Sequence, residues 1–141
     1  MPTIEHGHTG RIVYARLRPN EDLVQSIEKL CLAHGFARAM VRGSLGSLTQ
    51  ASLEGAAAAV EELPGPAVEV LTLCGEVALD AGGAAVARLS GTVVDPAGGV
   101  HAGRFVSGRN PICMTFETVL EEWLKDGAPA PASVQRGDQG G

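Results

Sequence analysis

The chain predicts an α+β fold, with one main helix over about residues 20–34 and a mostly antiparallel or mixed β-sheet of about seven strands. Three observations carry this expectation. Only the segment Leu23, Ile27, Leu30, Cys31, His34 spaces its side chains at helical intervals. Elsewhere the chain falls into short β-rich runs punctuated by Gly, Pro and Asn. Three such runs, 68–79, 84–94 and 100–107, follow one another across a Gly-Gly turn and a tight Asp95-Pro96-Ala97-Gly98 turn.

Residues 1–9 are polar and predicted to be a flexible N-terminus, ahead of a domain over 10–125. Arg11 to Arg18 alternates Ile12, Tyr14 and Arg16 against Val13, Ala15 and Leu17, which predicts a strand. Pro19-Asn20 then breaks it. Asn20 is the predicted helix cap, with Glu21 and Asp22 near the positive end of the helix dipole and Gly35 as the stop. Phe36 to Val41 predicts a strand entering a bend, Gly43-Ser44-Leu45-Gly46-Ser47, and Leu48 to Leu53 a separate short strand. The Ala-rich 54–66 reads as one helical turn or a mobile loop, ending at Pro64-Gly65-Pro66. Pro111 opens a last strand, Cys113 to Leu120, running on to Leu124. The tail 126–141 has no apolar periodicity and is predicted to be disordered. No internal repeat is present.

At 141 residues, 45% apolar and only 4% aromatic, the chain suits one domain with an aliphatic core. A net charge of −5 excludes a protein that grips nucleic acid over its whole surface, though not a local basic patch. Nine of the 11 basic residues are Arg, the side chain suited to forked contacts with carboxylates and phosphates. Cys31, Cys74 and Cys113 are odd in number, lack a C-x-x-C spacing and lie in apolar runs, so buried reduced thiols are predicted. With no 18-residue apolar run and no signal-like start, a cytoplasmic location is expected.

The segments LRPNEDLVQSIEKLCLAHGF (17–36), GSLGSLTQASL (43–53), EVLTLCG (69–75) and SGTVVDPAGGVHAGRFVSG (90–108), in this order and spacing, resemble the plant-and-prokaryote conserved (PPC or PCC) domain family. The resemblance covers about residues 11–121. It implies a homotrimer of small α+β subunits with a site where subunits meet. Plant members pair this domain with AT-hooks, whence a DNA-binding label for bacterial relatives. The Arg-Gly-Arg-Pro core of an AT-hook is absent, since the nearest stretches are Gly108-Arg109-Asn110-Pro111 and Gln135-Arg136-Gly137-Asp138. Some prokaryotic relatives carry three imidazoles around the last hairpin, suited to a zinc-like ion. Aligned on Asp95-Pro96 and Gly103, those positions are Arg88, Ser90 and Arg104. A guanidinium stays protonated and makes no ordinary ligand, so neither metal nor cofactor is expected there.

The hairpin register decides what those residues do. A three-residue loop, Pro96-Ala97-Gly98, sets Ser90 opposite Arg104 with Arg88 diagonal on the same face, whereas a four-residue loop turns Arg104 to the other face. In the first register two cations converge, and three readings follow: a salt bridge to Glu69 or Glu117, a bound small carboxylate or phosphate, or a solvent-exposed Arg pair. His101 points to the opposite face and reads as an ordinary surface histidine, a ligand contact or a general base. Gly46 and Ser47 offer a bend whose N–H groups suit an anion, although no P-loop Lys follows. His6 and His8 lack a third ligand, and His34 suits the helix's C-terminal end. Three functions follow: a trimer binding a small anion between subunits, in a sensing or accessory role; a DNA-binding module using Arg11, Arg16, Arg38, Arg42 and Arg109; or a small enzyme using His101 or Glu69.

Overall fold

The structure, a computed structural model, describes residues 1–127. It contains β1 (Gly7–Leu17), α1 (Leu23–Ala33), β2 (Arg38–Glu54), β3 (Val60–Leu79), β4 (Ala85–Val94), β5 (Val100–Phe105) and β6 (Ile112–Lys125). One sheet holds all six strands in the order β1-β6-β2-β3-β4-β5, and every pairing is antiparallel. β5 also pairs back onto β2 through Leu53↔Phe105 and Glu54↔Arg104, so that β2, β3, β4 and β5 close on themselves. The α+β class is as expected.

Six strands stand where about seven were expected, because 38–54 is one strand and not two. The Gly-Ser bend stays inside the ladder: Gly46 pairs with Phe116 of β6, and Ser47 with Glu69 of β3. Register shifts at Arg42/Ser44 and Gly46/Leu48 absorb the curvature. Gly46 has φ 154°, and a Cβ there would strike the Thr115 carbonyl and lie 2.9 Å from the Phe116 Cα. Only glycine lets β6 come that close.

Two other segments differ from expectation. The Ala-rich stretch holds only a turn, closed by Gly55 N–H to the Ala59 carbonyl at 3.0 Å, and β3 already begins at Val60. Its pairing with β2 from Glu54↔Val60 to Gln50↔Pro64 outweighs alanine's helical preference. The N-terminus is engaged as well, since Gly7, His8 and Thr9 pair with Lys125, Leu124 and Trp123. The predicted disordered tail lies, beyond residue 127, outside the described residues.

The helix cap is Asp22, not Asn20. The Asp22 carboxylate accepts the Gln25 N–H at 3.0 Å and the Asn110 N–H at 2.9 Å, and the helix starts at Leu23. Asn20 instead takes φ 68° and donates its N–H to the Ile112 carbonyl at 2.8 Å, fixing the entry turn. Gly35, at φ 67°, ends the helix as expected. One face of α1, Leu23, Val24, Ile27 and Cys31, packs on the core made by Val41, Leu53, Val77, Leu89, Phe105, Phe116 and Leu120. Buried Asn110 crosslinks this end of the molecule. Its side-chain carbonyl accepts the Ser52 N–H at 2.9 Å and its amide donates to the Ser52 and Val106 carbonyls at 3.2 and 2.8 Å.

At the bulge in β1, Arg11 grips Glu122 with Nε and Nη2 at 3.1 and 3.0 Å and lies 4.8 Å over the Phe36 ring. The Glu122 side chain is 4% exposed, and the hydrogen bond from Arg11 holds its carboxyl below the usual carboxylate range.

Replacing Asp22 by Ala should cost roughly 1–2 kcal/mol in urea denaturation, because the Gln25 and Asn110 N–H groups lose their acceptor. Arg11→Ala should cost roughly 1–3 kcal/mol at pH 7, a range set below that of a fully buried pair because Arg11 is half exposed. A depressed carboxyl adds stability above its unfolded value of 4.5 and loses it as the pH falls through its folded value. The gap between wild type and Arg11→Ala should therefore narrow in denaturation curves taken at progressively lower pH.

Candidate functional site

The β4–β5 loop has three residues. Asp95 N–H bonds the Gly99 carbonyl at 2.9 Å, Gly98 N–H bonds the Asp95 carbonyl at 3.0 Å, and Gly98 takes the φ of 90° that such a loop requires. The register then runs Val94↔Val100, Val93↔His101, Thr92↔Ala102, Gly91↔Gly103 and Ser90↔Arg104. Ser90 and Arg104 share a face, and Arg88 lies two residues along it. All three are exposed, while Leu89, Val93 and Phe105 fill the core from the other face.

The row extends beyond the hairpin. Ser90 pairs with Cys74 on β3, Cys74 with Arg42 on β2, and Arg104 with Glu54 at the far end of β2. Arg42, Cys74, Ser90, Arg104 and Glu54 thus form one line around the closed part of the sheet. The Cys74 thiol lies 3.8 Å from the Ser90 hydroxyl. Among the thiols, only Cys31 matches the buried expectation. Cys74 is exposed and Cys113 half-buried. The cause for Cys74 is the register shift between Val70 and Thr72, which leaves Leu71 and Thr72 outside with it while Leu73 turns inward. Burial raises the Cys31 thiol above its ordinary value.

Charge pairing separates the arginines. Arg16 bonds Glu117 at 2.8 Å, Arg38 bonds Glu76 at 2.8 Å, Arg42 bonds Glu121 at 3.1 Å and Arg109 bonds Glu62 at 3.0 Å, besides the Arg11–Glu122 pair. Among the described residues, no carboxylate lies within 4.0 Å of Arg88 or Arg104. The two expected salt-bridge partners do not reach them. Glu117 belongs to Arg16, and Glu69 pairs in register with Val94, four residues beyond Ser90 or roughly 13 Å along the strand. Glu76 faces Arg88 across β3 and β4 but is held by Arg38.

The remaining candidates lie apart from this row. Gly46 and Ser47 sit within β2, level with Glu69, as part of a paired strand and not a free Gly-Ser loop. His101 is on the opposite face, as expected, but is no ordinary surface histidine. Its Nε2 is 2.7 Å from Asp95 Oδ2 and its Nδ1 is 2.8 Å from Glu61 Oε1. With both ring nitrogens facing carboxylates, it has no free nitrogen with which to act as a base on a substrate. His34 closes the helix end through Nδ1, 2.9 Å from the Leu30 carbonyl. Among the described residues no group of three or more His, Cys, Asp and Glu side chains is arranged to hold a metal ion.

Clefts flank the sheet, and a small one of about 150 Å³ lies against Arg88, Glu76, Asp80 and Val86. One of about 380 Å³, lined by Arg38, Met40, Arg42, Glu76, Glu121 and Trp123, adjoins the row through Glu76 and Arg42. Another of about 670 Å³ runs between β1 and α1 past Arg18, Gln25 and Lys29, away from it. Among the described residues no helix is long and apolar enough to cross a membrane.

A single antiparallel sheet closed by its own hairpin, one helix across its core and a polar row on its outer face define a small α+β domain. The model of the Plants and Prokaryotes Conserved (PCC) domain matches residues 4–124, and the chain belongs to that family. A plant- and prokaryote-conserved protein from Pyrococcus horikoshii superposes with a TM-score of 0.71 at 22% identity, over 86% of this chain and 85% of its own. A metal-containing protein from Archaeoglobus fulgidus gives a TM-score of 0.74 at 19% identity, over 88% and 87%. A Bacteroides thetaiotaomicron protein, provisionally named as DNA-binding, gives 0.68 at 15% identity, over 82% and 83%. Among curated proteins none matches the sequence.

The row makes Cys74 accessible and the core shields Cys31. A small neutral alkylating reagent should therefore modify Cys74 in the native protein and Cys31 only after denaturation, as read by peptide mass spectrometry.

Proposed function

We propose that this PCC-domain chain assembles as a homotrimer in the cytoplasm and binds a small carboxylate or phosphate across Arg88, Ser90 and Arg104, in a sensing or accessory role. One observation carries the reading: Arg88 and Arg104 flank a serine hydroxyl on one exposed face, with no carboxylate partner among the described residues. Two forks and a hydroxyl suit an oxyanion, and permanent charge at two of the three positions disfavours a cation. Exposed Ile12, Tyr14 and Leu71 support self-association, which would bring further copies of the row together.

The expected outcome is a rise in melting temperature with at least one member of a broad carboxylate and phosphate library. Arg104→Ala should abolish that rise while light scattering still reports a trimer. The same ligand should slow alkylation of Cys74. If no anion shifts the wild-type protein, the pocket reading fails.

The provisional DNA-binding name of the Bacteroides thetaiotaomicron neighbour favours a second reading. It calls for a free basic face, yet Arg11, Arg16, Arg38, Arg42 and Arg109 are each paired with a carboxylate. Fluorescence anisotropy with duplex DNA should show no binding even at low salt. Salt-dependent retention near physiological ionic strength would instead support a nucleic-acid role.

A further inference from the structure

We propose that Asp95, His101 and Glu61 form a proton-dependent latch that holds the β4–β5 hairpin against the β2–β3 hairpin. The seam it guards is short. β5 meets β2 through only two residue pairs, Leu53↔Phe105 and Glu54↔Arg104, followed by Val106 N–H to the Ser52 carbonyl at 3.0 Å. His101 lies on the core side of β5, at the end nearer the hairpin turn, and its contact with Glu61 of β3 spans that seam. Among the described residues it is the one ion pair between β5 itself and the β2–β3 hairpin, the Arg109–Glu62 pair lying beyond the end of β5.

The geometry favours a charged ring. Nε2 shares a hydrogen bond with Asp95 Oδ2 at 2.7 Å, and Nδ1 lies 2.8 Å from Glu61 Oε1 as an ion-pair contact, so a carboxylate stands at each ring nitrogen and imidazolium is the form that both attract. A neutral ring would turn a lone pair toward one carboxylate at under 3 Å. The two arms are not equivalent. Asp95 is pinned because its Oδ1 accepts the Ala97 and Gly99 N–H groups, each at 2.9 Å. Glu61 makes no other side-chain contact of this kind among the described residues and is 53% exposed, so it is the arm that lets go.

Among the described residues, the charged groups that face His101 are these two. Across β4 its register partner is the apolar Val93, and β2 contributes Leu53 below. Glu54 and Arg104 point to the other face, and Glu62 turns to Ser52 and Arg109. The hydrogen bond to Asp95, then the charge of Glu61, raise His101 above its ordinary value, and the same bond first of all lowers Asp95. The signs follow from linkage. A raised histidine contributes stability that is complete below its unfolded value of 6.5 and is lost as the pH rises through its folded value. A lowered aspartate contributes stability above 3.8 that is lost as the pH falls through its own folded value. The latch is therefore tightest in mildly acidic solution and opens on the alkaline side. This does not depend on what the arginine row binds.

The test pairs an imidazole titration by NMR with hydrogen exchange of the Val106 amide in the full chain. His101 should titrate above 6.5 in wild type, and in Glu61→Gln its midpoint should fall. Corrected for base catalysis, Val106 exchange should accelerate several-fold as the pH passes that midpoint. In His101→Gln this pH dependence should vanish. Titration of His101 at or below 6.5 would overturn the latch. So would Val106 protection whose pH dependence is the same in wild type as in Glu61→Gln, a comparison that stands even if His101→Gln fails to fold.

Discussion

Everything in this molecule hangs on β2 being paired along both of its edges. One edge meets β3 from Arg38 to Glu54, and the other meets β6 in its first half and β5 in its last two residues. A strand so placed cannot move without breaking three ladders. Its curvature is what brings β5 back to close the sheet. That curvature is concentrated at the bulges around Gly46, where the absence of a Cβ lets the β6 backbone approach. The core side chains Val41, Leu48, Ala51 and Leu53 all come from this one strand.

Closure also creates the site. Flat strands would leave Arg42 and Glu54, twelve residues apart on β2, unconnected by any row. Wrapped around, they become the two ends of a line that passes through Cys74, Ser90 and Arg104. Five carboxylates of this acidic chain are taken by Arg11, Arg16, Arg38, Arg42 and Arg109. Net charge therefore describes the surface poorly. An overall excess of negative charge coexists with two guanidiniums on one face that have no carboxylate within 4.0 Å among the described residues. The seam that completes the line is its shortest pairing, with two residue pairs, and His101 between two carboxylates stands beside it.

Much of this was readable from residue order. The helical spacing of Leu23, Ile27 and Cys31 located α1, and Gly35 marked its end. The Asp95-to-Gly99 loop admitted two registers, one of which set Ser90 against Arg104. Where expectation failed, a long-range partner was the cause. Asn20 and Asp22 are both good caps by type, and Asp22 wins because it also receives the Asn110 N–H from a loop 88 residues away. The alanines of 54–66 favour helix locally, but the adjoining strand pairs with β2. Cys74 looked buried because its neighbours are apolar, and a one-residue shift in β3 turned it outward.

By itself, then, the sequence determined the class of fold, the helix, the tight last hairpin and the presence of two arginines and a serine around it. These are properties of local spacing, turn chemistry and side-chain type, which act over a few residues. The tertiary structure alone decided that Glu69 and Glu117 lie out of reach, that Cys74 and Glu54 join the row, and that His101 is clamped between Asp95 and Glu61. Each of these depends on strand register and sheet closure. A register is set by which distant backbone a strand meets, and a shift of one residue reverses every side chain on it.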